Sequence, residues 1–142
     1  MIVYADSSFL VSSYTADAHS TEADNRRAQS PTILITPFVR AELCTALHQQ
    51  VFQRRVSLAQ ANGAWQDFEQ DANNGTLTRI DFPLAALNRT VDLAKRFAPT
   101  LGVRTLDSLH VACALELKVQ KFWTFDDRQA RLAQAIGLDI SA

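Results

Sequence analysis

The first stretch of the chain, MIVYADSS, is a short apolar run that ends abruptly in the carboxylate of Asp6. An apolar run of this length, rich in β-branched residues, is typical of a buried strand, and Asp6 falls where that strand should leave the sheet. In open α/β sheets, ligands bind beyond the carboxyl ends of the strands. The opening stretch therefore predicts both a buried first strand and a functional site at Asp6.

The composition predicts one globular domain over residues 1–142, since 47% of the residues are hydrophobic and 20% are charged. No apolar run approaches the roughly 18 residues that a membrane-spanning helix needs. The start of the chain has neither a basic segment nor a cleavage site typical of secretion, so we expect a soluble, cytoplasmic protein. The net charge of -1 supplies no global basic field. Binding of nucleic acid would therefore depend on local arginines or on metal ions.

Strand-like and helix-like segments alternate along the chain. Besides the first strand, strands are predicted at 32–35, 76–80 and 121–124, with an edge strand at 138–140. Helices are predicted from residue 9, within 15–30, and over 36–54, 57–73, 83–98, 105–115 and 128–136, the fifth of them broken by Pro99 and Gly102. The predicted helix N-caps are Ser7 or Ser8, Thr36, Thr105 and Asp127. This alternation predicts an α/β fold with a mostly parallel, about five-stranded sheet and helices on both faces.

Three later acids, Glu42, Asp107 and Asp126, are expected at the same edge of the sheet as Asp6. Glu42 and Asp107 lie in the opening turns of their helices, and Asp126 follows the fourth predicted strand. Each acid also has an ordinary structural interpretation: an ion pair for Glu42, a favourable first-turn charge for Asp107 and an N-cap for Asp126. We assign the cap to Asp127 and the site role to Asp126. We interpret His110, one turn after Asp107, as a packed helix histidine.

Four carboxylates in one pocket favour a bound divalent metal, because like charges so close raise one another's pKa unless a cation lies between them. Ligation by oxygen alone, without a pair of histidines or cysteines, favours Mg²⁺ or Mn²⁺ over Zn²⁺. One or two such ions can activate a water molecule and stabilise a charged phosphate. The reaction that fits is hydrolysis of a phosphodiester bond.

The residues that carry these features resemble the PIN-domain family, and most closely the VapC-type toxins of toxin–antitoxin pairs. The resemblance covers essentially the whole chain through four ordered segments: YADSSFL at residues 4–10, VRAEL at 39–43, DSLHVA at 107–112 and TFD at 124–126. It implies a three-layer α/β/α sandwich with a five-stranded parallel sheet. It also implies an endoribonuclease that depends on Mg²⁺ or Mn²⁺ and cuts RNA.

The resemblance further implies roles for individual residues. Asp6, Glu42, Asp107 and Asp126 become catalytic metal ligands or holders of metal-bound water, with Ser8 and Thr124 as supporting hydroxyls. It also implies a cognate antitoxin that covers the acidic pocket and a homodimer that buries the early helices. Separately from the resemblance, Arg40 and Arg104 lie close to two of the acids and are candidates to bind a substrate phosphate or an antitoxin carboxylate, or else to form ordinary surface ion pairs.

Other functions fit the sequence less well. A haloacid-dehalogenase-like phosphatase needs a second aspartate two residues after the first, where this chain has Ser8, and a receiver domain needs a further acidic pair and a late lysine. A non-catalytic PIN-like protein that binds RNA or regulates would gain nothing from crowded carboxylates that repel phosphate. A housekeeping RNA-processing nuclease with the same site and no antitoxin stays open, and a neighbouring antitoxin gene would distinguish it from a toxin.

Overall fold

The computed structural model describes all 142 residues, which form four strands and seven helices. The strands are β1 (Ile2–Ala5), β2 (Thr32–Ile35), β3 (Thr78–Arg79) and β4 (Lys121–Trp123). The helices are α1 (Ser7–Tyr14), α2 (Ser20–Arg27), α3 (Pro37–Phe52), α4 (Leu58–Asn74), α5 (Ala85–Leu101), α6 (Thr105–Glu116) and α7 (Asp127–Ala135). No helix combines the length and the apolar character that crossing a membrane requires.

The strands form one parallel sheet in the order β3-β2-β1-β4, with Tyr4 of β1 opposite Leu34 of β2 and Phe122 of β4. The first two connections step in one direction across the sheet, and the connection after β3 returns past β1 to β4. Because such crossovers are right-handed, helices α1 to α4 cover one face and α5 and α6 cover the other. The predicted α/β fold with a parallel sheet between two helical layers is confirmed.

Aromatic side chains of β1 and β4 join the sheet to both helical layers. Phe122 stacks on Tyr4 with the ring centroids 5.5 Å apart, and Tyr4 meets the His110 ring of α6 edge-on. On the other face, Trp123 packs against Phe9 of α1. All five side chains are fully buried, and substitutions in such close-packed interiors are costly. This core holds the starts of α1 and α6 at the same edge of the sheet.

The predicted fifth strand at residues 138–140 does not form. A single backbone hydrogen bond, from the amide of Phe122 to the carbonyl of Asp139 at 2.9 Å, joins this segment to β4. The segment is otherwise held by side chains, since Trp123 Nε1 donates to the carbonyl of Ser141 at 3.0 Å. A strand needs a repeating ladder of backbone hydrogen bonds, so the sheet has four strands.

Of the two residues predicted to break α5, Pro99 does not end the helix and Gly102 does. The helix continues through Pro99, where a break was predicted, and ends before Gly102, whose φ of 64° is left-handed. Proline perturbs mainly the turn that precedes it, and only two helical residues follow it here. The left-handed conformation at Gly102, which favours glycine, is what ends the helix. The chain then enters α6 at the edge of the sheet that carries Asp6.

Candidate active site

All four predicted acids line one cavity at the carboxyl edge of the sheet. The cavity has a volume of about 560 Å³. Its acids come from four different places: the end of β1, the second turn of α3, the first turn of α6, and the loop after β4. Its lining residues are Asp6, Ser7, Ser8, Val11, Glu42, Ala46, Arg104, Thr105, Leu106, Asp107, Asp126 and Gln129.

Asp6 is fully buried at the base of this arrangement. Its Oδ1 accepts hydrogen bonds from Ser8 Oγ at 2.7 Å and from the Phe9 amide at 3.0 Å, and its Oδ2 accepts from Thr124 Oγ1 at 2.7 Å. Asp6, rather than the predicted Ser7 or Ser8, is thus the N-cap of α1. Burial raises the pKa of Asp6, and these hydrogen bonds and nearby His110 only partly oppose that effect. Asp6 is a buried acid without a cationic partner in direct contact.

Glu42 is held in place by two donors that both contact the same oxygen. Its Oε1 accepts from Ser7 Oγ at 2.5 Å and from His110 Nε2 at 2.5 Å, while His110 Nδ1 contacts the hydroxyl of Tyr4 at 2.8 Å. Burial alone would raise the pKa of Glu42, but the hydrogen bond and charge of His110 and the Ser7 hydroxyl lower it below its usual value. The chain from Tyr4 through His110 therefore keeps Glu42 ionised and fixed.

Asp107 lies in the first turn of α6 and is almost completely buried. Its Oδ2 accepts a hydrogen bond from the backbone amide of Arg104 at 2.9 Å. Arg104, not the predicted Thr105, occupies the N-cap position of this helix. The carboxylate of Asp107 thereby pairs one of the free amides at the helix start, where a negative charge is favoured.

Asp126 both caps α7 and lines the cavity. Its Oδ1 accepts from the amide of Gln129 at 3.0 Å, so the prediction that Asp127 is the cap was wrong. Asp127 is the first residue of the helix and is exposed. Thr124 connects this loop to β1, because its Oγ1 accepts from the amide of Asp126 at 2.9 Å and donates to Asp6. Ser8 adds a second link by accepting from the Phe125 amide at 2.9 Å.

Three of the acids share one arrangement, in which the protein donates to one carboxylate oxygen and leaves the other free. Oε1 of Glu42, Oδ2 of Asp107 and Oδ1 of Asp126 accept protein hydrogen bonds, whereas their second oxygens receive none. A carboxylate oriented through one oxygen can offer the other to a ligand. No group of three or more His, Cys, Asp or Glu side chains is close enough to form a metal-binding cluster.

The donor set of the cavity nevertheless fits a hard divalent cation. Its acidic ligands are oxygens, no cysteine lines it, and both ring nitrogens of His110 already have partners. The one arginine or lysine that lines the cavity, Arg104, is 71% exposed and lies 3.9 Å from Asp107. Oxygen-only sites of this kind suit Mg²⁺ or Mn²⁺ rather than Zn²⁺.

The two predicted arginines lie in different places. Arg104 lines the acidic cavity. Arg40 instead lines a neighbouring cavity that contains Arg79 and Asp81. Its Nε donates to Glu69 at 2.6 Å, and its guanidinium lies 5.0 Å from the centre of the Trp65 ring. Arg40 thus makes the surface ion pair that was its alternative interpretation.

Sequence reasoning missed three polar residues of this site. His110 was interpreted as a packing residue, Ser7 as a cap, and Gln129 was not singled out. A signal existed for His110, because it follows Asp107 by three residues and so lies on the same side of α6. No comparable signal marked Ser7 or Gln129.

Comparison with known protein families gives one match that covers most of the chain. The sequence profile of one family, described as PIN domain, matches residues 3–135. A sequence search of curated proteins found no significant match.

Solved structures resemble the fold at low sequence identity. Mycobacterium tuberculosis VapC20, described as a sarcin-ricin loop cleaving toxin, has a TM-score of 0.71 at 17% identity, covering 96% of this chain and 95% of that one. Pyrobaculum aerophilum PAE2754 has a TM-score of 0.62 at 17% identity, with coverages of 93% and 79%. Rickettsia felis VapBC2, solved with a DNA fragment from its promoter, has a TM-score of 0.65 at 18% identity, with coverages of 99% and 98%. These likenesses show the fold.

Proposed function

Because the chain belongs to the PIN-domain family, we propose that it is a metal-dependent endoribonuclease and acts as the toxin of a toxin–antitoxin pair. The observation that supports this most is the single cavity lined by Asp6, Glu42, Asp107 and Asp126. Three of these acids keep one oxygen free of protein donors. Crowded carboxylates oriented in this way suit the binding of a divalent cation and, through it, a phosphodiester.

In this proposal the four carboxylates, which are not close enough to form a cluster by themselves, hold Mg²⁺ or Mn²⁺ directly or through the waters that such an ion retains. When bound, the cation supplies Lewis-acid activation of water and of the phosphate. Asp6 sits at the base of the site, where Ser8 and Thr124 fix both of its oxygens. A cation offsets the cost of burying its charge, which the protein alone does not. Glu42 is already ionised, so it needs no proton loss before it binds.

Arg104 is the proposed contact for the RNA backbone. It is the only arginine or lysine that lines the cavity, and its guanidinium is largely exposed. An arginine can form paired hydrogen bonds with a phosphate, and one at the rim would draw the polyanion towards an otherwise acidic site. Arg40 is engaged by Glu69 and is not part of the proposed site.

The proposed partners are an RNA substrate, a cognate antitoxin and a second copy of the chain. Likeness in fold to proteins described as VapC20 and VapBC2 supports the toxin–antitoxin assignment. For a homodimer, one side of α5 and its N-cap residue expose apolar side chains at helical spacing, with Leu84 76%, Leu87 53% and Val91 52% exposed. This surface lies away from the early helices, which the family resemblance implies are buried in the dimer.

The test is cleavage of total cellular RNA by the purified chain with Mg²⁺, with Mn²⁺ or with EDTA. Asp126→Asn and Asp127→Asn make a matched pair, because asparagine is also a good N-cap and only the first change removes a charge from the cavity. We expect discrete fragments that require metal, that disappear with Asp126→Asn and that persist with Asp127→Asn.

Other outcomes would change the assignment. Absence of metal-dependent cleavage by folded protein would contradict the nuclease and favour a non-catalytic RNA-binding or regulatory protein. Cleavage without growth arrest on expression, and without a small protein encoded beside the gene that binds the chain, would favour a housekeeping RNA-processing nuclease.

A further inference from the structure

The side-chain amide oxygen of Gln129 is a buried polar atom without a protein partner. Gln129 lies in the first turn of α7 and is only 6% exposed. Its backbone amide is used, since it donates to Asp126 Oδ1 at 3.0 Å. Its side-chain Oε1 is buried and has no hydrogen-bond partner, the only such side-chain atom in the structure.

Such an atom calls for an explanation, because buried polar groups are nearly always hydrogen-bonded and an unpaired one is costly. The Gln129 side chain also lines the acidic cavity with Asp6, Glu42, Asp107 and Asp126, but its Oε1 is not itself exposed there, so contact with a bound group requires the side-chain amide to turn towards the cavity. A partner from outside the protein would therefore come from this cavity.

The chemistry of the atom restricts that group. An amide oxygen only accepts hydrogen bonds, so a phosphate oxygen, which is also an acceptor, cannot pair with it. An O–H group can. Two such donors belong to the occupants of the proposed site: the water molecules that Mg²⁺ retains, and the 2′-hydroxyl that distinguishes RNA from DNA.

We propose that Gln129 is a binding residue of the site, whose Oε1 accepts a hydrogen bond from an O–H group of the bound cation's water or of the substrate ribose. The inference rests on the proposed function, because that function supplies both donors. With Asp126 at its N-cap, α7 would then supply two residues to the proposed site, and Gln129 would be the neutral one.

The experiment compares the whole chain with Gln129→Met, which keeps the length of the side chain and removes the amide. Gln129→Leu is a second variant in case the first folds poorly, and Gln134→Met is the control, since Gln134 is an exposed glutamine of the same helix. Without metal, we expect Gln129→Met to melt a few degrees higher than wild type, because it removes an unpaired buried acceptor.

Two measurements distinguish the two donors. In the first, Mn²⁺ alone is titrated calorimetrically, and Gln129→Met weakens binding about tenfold if the partner is metal-bound water. In the second, an RNA that the wild type cleaves is compared with versions that carry one 2′-deoxynucleotide near the cleavage point. If the partner is the ribose, Gln129→Met lowers the preference for ribose about fivefold. A change in either measurement, absent in Gln134→Met, supports the proposal.

Unchanged Mn²⁺ affinity together with unchanged ribose preference in a folded variant would overturn it, and would leave an ordered water as the partner of the amide. If the wild type cleaves no RNA, the proposed function fails separately. The Mn²⁺ titration then decides alone: weaker binding by Gln129→Met supports the role of Gln129, and equal binding overturns it.

Discussion

Nε2 of His110 lies 2.5 Å from Oε1 of Glu42, which joins α6 to α3 across the edge of the sheet. The ring is fully buried, and its other nitrogen contacts the hydroxyl of Tyr4 on β1. One histidine thus links all three layers of the fold at the acidic cavity. It connects the core aromatic cluster to an acid that we propose as a metal ligand.

We expect His110→Phe to destabilise the protein by roughly 2 kcal/mol, because it leaves the Tyr4 hydroxyl and part of the Glu42 carboxylate without partners. Tyr4→Phe removes only a hydroxyl and should cost about 1 kcal/mol. Urea unfolding of both single variants and of the double variant measures these losses. The free energy of unfolding should fall clearly less in the double variant than the sum of the two single decreases, because Tyr4, His110 and Glu42 form one hydrogen-bonded chain. Simple additivity would show that the hydrogen bonds are not coupled.

We expect the stability of the metal-free protein to depend on pH through Asp6. Burial raises its pKa in the folded protein, so the folded state holds this proton more tightly than the unfolded chain does. The stabilisation is complete below the unfolded value of about 4 and is lost as the pH rises through the raised folded pKa. Asp6→Asn has no carboxyl group to ionise here, so it does not show this loss. The free energy of unfolding of Asp6→Asn should therefore increase relative to that of wild type as the pH rises.

Urea unfolding over this pH range in EDTA measures the difference between the two proteins. Asp127→Asn is the control, because Asp127 is exposed and its removal should leave the pH dependence unchanged. Glu42 works in the opposite direction, since its pKa is lowered and its contribution disappears as the pH falls. A difference between wild type and Asp6→Asn that stays constant with pH would contradict the raised pKa of Asp6.

We expect Mg²⁺ to stabilise the folded protein. A ligand at about 100 times its Kd adds about 2.7 kcal/mol if it binds only the folded state. Thermal unfolding with and without Mg²⁺ should show this gain in wild type, and Asp107→Asn should reduce it because one free oxygen of the cavity becomes an amide. Asp24→Asn, at an exposed position of α2, should retain the gain. Equal gains in both variants would place the cation elsewhere.

We expect Arg104→Ala to weaken RNA binding, whereas Arg40→Ala should leave it almost unchanged. A hydrogen bond to a charged group is worth about 1.5 to 3 kcal/mol, so KM should rise by about tenfold or more in Arg104→Ala. The plot of log binding constant against log salt concentration should also become shallower by about 0.7, the value for one phosphate contact on a single strand. Kinetics at several salt concentrations measure both effects. Equal effects of the two substitutions would argue for a general charge effect.

The sequence by itself determined the order of strands and helices and the places of the four acids along them. Short apolar runs followed by a carboxylate mark strand ends, and Thr36-Pro37 marks the start of α3, where Thr36 accepts from the Val39 amide as predicted. Once the sheet is parallel, its strand ends and helix starts meet at one edge. Local patterns are therefore enough to predict which elements approach each other.

Only the tertiary structure decided which atoms meet at that edge. The partners of Glu42 lie 35 and 68 residues away in the chain, and Arg40 finds Glu69 on α4 rather than an acid of the cavity. Gln129 is buried without a partner for its Oε1 because of how α7 packs, not because of its neighbours in sequence. Periodicity specifies the face on which a side chain lies, whereas its hydrogen bonds depend on the packing of distant elements within a few tenths of an ångström.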